Sequence, residues 1–215
     1  MARFDVTAFL AEGARRAAEI DALQGRIDAA LTDFTARASG DQAALFAAAC
    51  AERAAGILLW KAAAEGRQQE ADAYTRALEQ AWGETAAGER VTSSDFDRMF
   101  ELAQHDVPVR KDPLVKAAGF AECAALALRS ALLLGETGDV SEVRAVSSSL
   151  WKDASLLAKR TEAADLEPEE ISRQIADMAT LLEDGATAEV KAALREESRR
   201  IGRQWLDLAS GYAES

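Results

Sequence analysis

Apolar residues recur three and four positions apart along most of this chain, which is the spacing of one face of an α-helix. The first segment shows the pattern at Ile20, Leu23, Ile27, Leu31 and Phe34. The last segment shows it in near-heptad register at Val190, Leu194, Ile201, Trp205, Leu208 and Tyr212. Hydrophobic residues, many of them alanine, make up 49% of the chain, and it has three prolines. Because alanine favours helices and proline interrupts them, the sequence predicts an all-α protein.

Glycines and capping residues divide the chain into about eight predicted helices. We expect an N-terminal amphipathic helix over residues 1–38, which Gly40 ends, and Asp41 is predicted to be the N-cap of the next helix. Residues 41–211 then form the core of the bundle. Since the loops are short and no long linker interrupts the pattern, residues 1–215 are predicted to form a single domain, an antiparallel helical bundle.

Two later helix starts are predicted from capping residues. Either Ser94 or Asp95 is expected to cap a short fourth helix. Asp112 directly before Pro113 is the arrangement of an N-cap and a first helical residue, and the fifth helix is expected to reach Leu134.

The charge of the chain restricts its partners. The formal net charge is −12, and affinity for nucleic acid depends on Lys and Arg displacing counterions from phosphates, so no nucleic-acid partner is expected. The acidic residues are spread along helix faces, which indicates first of all a solvated surface. They also suit a partner protein that is basic, and association into homo-oligomers stays open.

Cys50 and Cys123 are the two cysteines, and each lies in an alanine-rich apolar run. Both are predicted to be buried, free thiols of a reducing compartment. The N-terminus lacks the apolar stretch of a signal peptide, and the longest apolar run, residues 117–134, is interrupted by Glu122 and Arg129. We therefore predict a cytoplasmic protein with no membrane span.

The motifs of several enzyme classes are missing from the sequence. It has neither of the common glycine-rich phosphate loops, Gly-x4-Gly-Lys-Ser/Thr or Gly-x-Gly-x-x-Gly. A di-iron bundle needs two Glu-x-x-His pairs, and the chain has one histidine, His105, which is predicted to be an exposed loop residue. We expect no cofactor, no metal and no catalytic residue that can be named.

Four charged residues interrupt the two most apolar runs: Glu52 and Arg53 in the first, and Glu122 and Arg129 in the second. A buried unpaired charge costs several kcal/mol, so these residues are expected to point inward and to pair, Glu52 with Arg129 and Arg53 with Glu122. Three interpretations stay open: ion pairs that fix the helix register, a polar ligand pocket, and a partner-binding or catalytic carboxylate.

The run from Phe46 to Arg53, the later Ala81-Trp82, and the segment around Glu122 together resemble the YjaG-like family of uncharacterised all-helical bacterial proteins. The similarity covers about residues 41–210. It implies a bacterial cytoplasmic protein with a suggested link to signalling, and it supplies no catalytic residues.

The sequence favours a non-enzymatic module that binds another protein and has a regulatory role. One alternative is an immunity protein or antitoxin whose acidic surface attracts a basic toxin. Another is a small-molecule binder or an enzyme that uses the four charges Glu52, Arg53, Glu122 and Arg129.

Overall fold

The chain folds into a bundle of α-helices. The computed structural model describes residues 6–84, 90–104 and 118–214, and within these ranges it has eight helices and no strand. The helices are α1 Val6–Arg37, α2 Gly40–Ala64, α3 Gln68–Ala81, α4 Ser93–Gln104, α5 Ala118–Thr137, α6 Glu142–Thr161, α7 Leu166–Asp184 and α8 Ala188–Glu214. The predicted all-α bundle of about eight helices is thereby confirmed.

Helix α2 lies at the centre of the bundle. It packs most extensively against α5 and α8, and it also contacts α3, α6 and α7. A helix with neighbours on all sides must be apolar all round, which explains its alanine-rich sequence. Among the described residues, α2 is the one helix long and apolar enough to cross a membrane by length and composition, and 72% of that stretch is buried inside the bundle. The central helix of a bundle meets the same criteria.

The other helices surround α2 and pack against their neighbours in the chain. Helix α5 packs on α6, and α6 packs on α7. Because only short loops join these helices, each pair runs antiparallel. Helix α1 instead lies along α7, which buries Ile27, Leu31 and Phe34 of the predicted apolar face. Helix α4 lies against α5.

Two helix starts differ from the predicted ones. The N-cap of α2 is Ser39 rather than Asp41: the Ser39 hydroxyl accepts the Gln42 backbone N–H at 3.3 Å, and the Gln42 side chain accepts the Ser39 N–H at 2.7 Å. This reciprocal capping box satisfies two backbone donors, more than Asp41 could satisfy alone. Thr92 and Asp95 form the same arrangement at α4, so Thr92 is the cap there.

The predicted start of the fifth helix at Asp112 and Pro113, and the loop residue His105, lie outside the described residues. At its other end this helix passes the predicted Leu134 and reaches Thr137. Gly138, with φ of 67°, follows it in the left-handed conformation that glycine adopts without strain.

A pair of glycines lets α2 and α8 approach closely. A Cβ on Gly202 would lie 3.1 Å from the backbone carbonyl oxygens of both Glu52 and Arg53. A Cβ on Gly56 would lie 3.3 Å from the carbonyl oxygen of Gly202. The crossing therefore has no room for larger residues, and it fixes Glu52 and Arg53 against α8.

The two cysteines differ in burial. Cys50 is fully buried in the core, as the sequence predicts, whereas Cys123 of α5 is only partly buried. Both are free thiols. The prediction that both are buried is thus correct for one of them.

Candidate functional site

The structure separates the four charged residues that the sequence groups together. Glu52 and Arg53 lie inside the bundle on α2, with exposed fractions of 9% and 1%. Glu122 is exposed and Arg129 is half-buried, both on the outer side of α5. The expected pairs of Glu52 with Arg129 and Arg53 with Glu122 do not form, so these four residues do not make one cluster.

The expected pairs do not form because the other side of α5 faces the core. Helix α5 is apolar on nearly every side, so periodicity alone does not decide which side faces the core. The expectation that Glu122 and Arg129 point inward places their side of α5, which also carries Leu126, in the core. Leu126 is instead 40% exposed, while Ala124 and Leu128 on the opposite side are fully buried. Arg129 forms a bidentate ion pair with Asp97 of α4 instead, with Nε 2.5 Å from Oδ1 and Nη2 3.1 Å from Oδ2.

Arg53 is bound by two carboxylates of α7. Its Nη1 donates to Asp177 Oδ2 at 2.7 Å, and its Nη2 lies 3.1 Å from Glu170 Oε1. Burial alone would lower the pKa of Arg53, but the charges of Glu170 and Asp177 outweigh it and hold that pKa above its usual value. The guanidinium is therefore charged in the core, and it ties the central helix to α7.

A hydrogen-bonded chain extends this network to α6. Gln174 donates from Nε2 to Glu170 Oε1 at 3.0 Å, and Ser147 of α6 donates from its hydroxyl to Gln174 Oε1 at 2.5 Å. All three side chains are fully buried. Burial raises the pKa of Glu170, against the pull of Arg53. We call Arg53, Glu170, Gln174, Asp177 and Ser147 the inner network, and it links α2, α7 and α6.

Asp153 of α6 is the unusual residue of the interior. It is 0% exposed, and both of its carboxyl oxygens lack a hydrogen-bond partner among the described residues. Burial raises the pKa of Asp153 well above its usual value, and the nearby charge of Glu170 raises it further. Burial therefore favours the protonated, neutral form of the Asp153 carboxyl group.

Glu52 joins α2 to a second group of charges, Arg195 and Arg199 of α8 with Glu79 and Glu84, which we call the outer cluster. Its Oε2 accepts the indole N–H of Trp82 at 2.7 Å, and its Oε1 accepts the Nε–H of Arg199 at 3.0 Å. Arg195 lies nearby, with Nε 3.9 Å from Glu52 Oε2 and its guanidinium carbon 5.5 Å from the centre of the Trp82 ring. One buried carboxylate thus positions an indole after α3 and two arginines of α8.

The same arginines reach acidic residues at the end of α3. Arg195 donates to Glu79 Oε2 at 2.6 Å and also bonds Glu84. The hydrogen bond from Arg195 is the main reason that the pKa of Glu84 is lowered to about 2. Lys191 lies 3.3 Å from Glu84. These ion pairs close the outer end of the cluster around Glu52.

A shallow groove of about 450 Å³ runs along α8 beside this cluster. Its lining includes a cation at every fourth position: Lys191, Arg195, Arg199 and Arg203. Residues four apart lie on one face of a helix, so these four side chains form a single row. We call them the cation ladder, and through Arg195 and Arg199 it is connected to Glu52.

The described residues offer little for covalent or metal chemistry. No group of three or more His, Cys, Asp or Glu among them could hold a metal ion. Burial raises the pKa of Cys123 to about 12 and raises that of Cys50 as well. A thiol nucleophile reacts as its thiolate, so both cysteines are inert at neutral pH in this structure. The network of Arg53 is closed to solvent, since Arg53 and Glu170 are 1% and 0% exposed.

Sequence reasoning missed the partners of both Glu52 and Arg53. A signal was present in α7, where Glu170, Gln174 and Asp177 follow helical spacing beside the apolar Ile171 and Met178. Polar residues on the inner stripe of an amphipathic helix indicate a buried network. In α8 the signal was the row of Lys and Arg residues at intervals of four.

No protein-family model matches the chain, and no curated protein or solved structure matches it. The resemblance to the YjaG-like family therefore rests on residues 46–53, on Ala81-Trp82 and on the segment around Glu122. Of these residues, Glu52 belongs to the outer cluster and Arg53 to the inner network.

Proposed function

We propose that this chain is a non-enzymatic, cytoplasmic protein-interaction module with a regulatory role, related to the YjaG-like family. The observation that supports it is that the charged residues fall into two sets, one buried and one accessible to solvent. The buried charges of α2 are used in ion pairs that hold α7 and α8 in place, and the accessible polar residues beside them form an open, charged groove rather than an enclosed pocket. Open charged surfaces are typical of macromolecular recognition.

The buried network supports this proposal through its closure. An enzyme or small-molecule binder needs polar groups that a ligand can reach. Arg53 and Glu170 are out of reach of solvent, and their hydrogen bonds go to neighbouring helices. A buried ion pair of this kind fixes the register of helices rather than adding to affinity for a ligand.

The test is affinity capture of the purified full chain from an extract of its source cell, followed by reconstitution with the captured protein. We expect a stoichiometric complex that survives Asp153→Asn, which changes only the interior. We expect it to be lost on charge reversal of those surface residues that contact the captured protein. A captured small molecule without any protein, detected by native mass spectrometry, would contradict the proposal and favour the ligand-binding alternative.

The formal net charge of −12 supports a second candidate, an immunity protein or antitoxin with a basic toxin as its partner. The captured protein distinguishes the two. A strongly basic partner whose toxicity the chain suppresses would favour the second candidate, and a partner that lacks toxicity would favour the adaptor or regulator.

A further inference from the structure

The cation ladder, Lys191, Arg195, Arg199 and Arg203, stands out because it belongs to a chain whose formal net charge is −12. At a helical rise of about 1.5 Å per residue, successive cations are about 6 Å apart and the row is about 18 Å long. A row of like charges on one helix face destabilises the helix unless acidic groups neutralise it. The positions of the neutralising acidic groups determine which of the four cations can still bind a partner.

The first two cations of the ladder, Lys191 and Arg195, are already neutralised by acidic residues. Arg195 is 12% exposed and binds both Glu79 and Glu84, and Lys191 lies 3.3 Å from Glu84. These two cations hold the end of α3 and the residues that follow it against α8. They are structural ion pairs rather than a binding site.

The last two cations of the ladder, Arg199 and Arg203, are more exposed. The side chain of Arg199 is 47% exposed and uses its Nε–H for Glu52, while its Nη2 lies 3.7 Å from Glu79, beyond hydrogen-bonding distance. Arg203, one turn further, is exposed and lines the same groove. Two guanidinium groups one turn apart therefore face the groove with donors to spare.

Glu52 prepares one of these arginines for binding. The carboxylate is buried and is itself fixed by the indole of Trp82, so the Nε–H bond holds Arg199 in one orientation. A side chain that is ordered before binding loses less entropy when a ligand arrives. Guanidinium groups form paired hydrogen bonds with carboxylates, which adds geometric selectivity.

Resting on the proposed function, we propose that Arg199 and Arg203 bind an acidic α-helical segment of the partner protein, with carboxylates four residues apart. Such a segment repeats its charges at the same spacing of about 6 Å. A nucleic acid fits less well, because Glu84 and Glu196 line the groove and Glu79 lies beside Arg199. Fixed carboxylates repel a continuous polyphosphate, whereas separate carboxylates can bind between them.

Fluorescence anisotropy with the full chain tests this. The probe is a labelled alanine-based peptide of about 20 residues, long enough to be helical, with Glu at every fourth position. We expect Arg199→Glu with Arg203→Glu to raise Kd at least about tenfold. The control Lys152→Glu with Lys159→Glu makes the same change in net charge at exposed residues of α6, and we expect it to leave Kd within about threefold. Arg199→Gln with Arg203→Gln repeats the test without placing new acids beside Glu52.

Three outcomes would overturn the inference: equal binding of a peptide with Gln in place of Glu, unchanged Kd in both Arg199 and Arg203 double variants, or tighter groove-dependent binding of a single-stranded oligonucleotide. Circular dichroism on each variant separates lost binding from lost folding. The inference and the proposed function can fail separately. A partner captured equally by the wild type and the Arg199 and Arg203 variants keeps the proposed function and removes this site.

Discussion

At Glu52 a charge is buried because its hydrogen-bond partners are fixed by other contacts. Trp82 and Arg199 each donate to it, and both belong to segments that pack on α2. Asp153 presents the opposite case, because it is equally enclosed but has no partner for either oxygen among the described residues. A buried acidic side chain thus stabilises the bundle at one position, whereas at the other burial favours its neutral form.

Glu52→Ala should destabilise the protein by about 1–3 kcal/mol, because it leaves the Trp82 indole N–H and the Arg199 Nε–H without their acceptor. Glu122→Ala is the matched control, since Glu122 is an exposed glutamate in the other apolar run and its removal should change stability by less than about 0.5 kcal/mol. Urea denaturation measures both. Equal effects of the two substitutions would contradict the placement of these residues.

Asp153→Asn should increase stability near neutral pH. Because the pKa of Asp153 is raised above 3.8 in the folded state, the folded protein retains a proton that the unfolded chain has lost. Below pH about 4 Asp153 does not lower the free energy of unfolding. As pH rises from there toward the pKa of the folded state, the free energy of unfolding falls by at most about 1.4 kcal/mol per pH unit. Within this pH range the advantage of Asp153→Asn over the wild type should therefore grow as pH rises.

Urea denaturation between pH 5 and pH 8 gives this difference, with Asp177→Asn as the control. Asp177 accepts from Arg53 at 2.7 Å, so its neutralisation leaves a buried guanidinium with Glu170 alone. That change should destabilise the protein by roughly 3 kcal/mol. If Asp153→Asn destabilises the protein equally across this range, Asp153 is ionised in the folded state.

Among the helices, the buried face of the amphipathic ones was predictable and that of α5 was not. The face of α1 follows from Ile27, Leu31 and Phe34, because polar residues on the other side leave one choice. In α5 every side offers Ala or Leu, and the actual choice depends on how α2 and α6 pack against it. The partners of Arg53 lie more than 100 residues away in the chain, so local spacing could not assign them.

Gly202→Ala should destabilise the protein by about 1–3 kcal/mol, because the added methyl would press on the backbone of Glu52 and Arg53 where α8 crosses α2. Gly211→Ala in the same helix has open space around the new Cβ, so it should stabilise by about 0.5–1 kcal/mol through helix propensity. Thermal unfolding distinguishes them by the sign of the shift in Tm. A stabilising Gly202→Ala would show that the two helices do not touch at this point.

At the scale of the whole molecule, the central position of α2 predicts that the bundle unfolds as one unit. Helices α3, α5, α6, α7 and α8 all contact α2, so loss of any one exposes part of the core shared by the rest. Urea unfolding followed by far-UV circular dichroism reports all helices, and fluorescence reports the surroundings of the four tryptophans, of which Trp82 and Trp205 are buried. The two transitions should coincide. A fluorescence transition at clearly lower urea than the loss of helix would mean that packing around the tryptophans is lost before the helices melt, and that the bundle does not unfold as one unit.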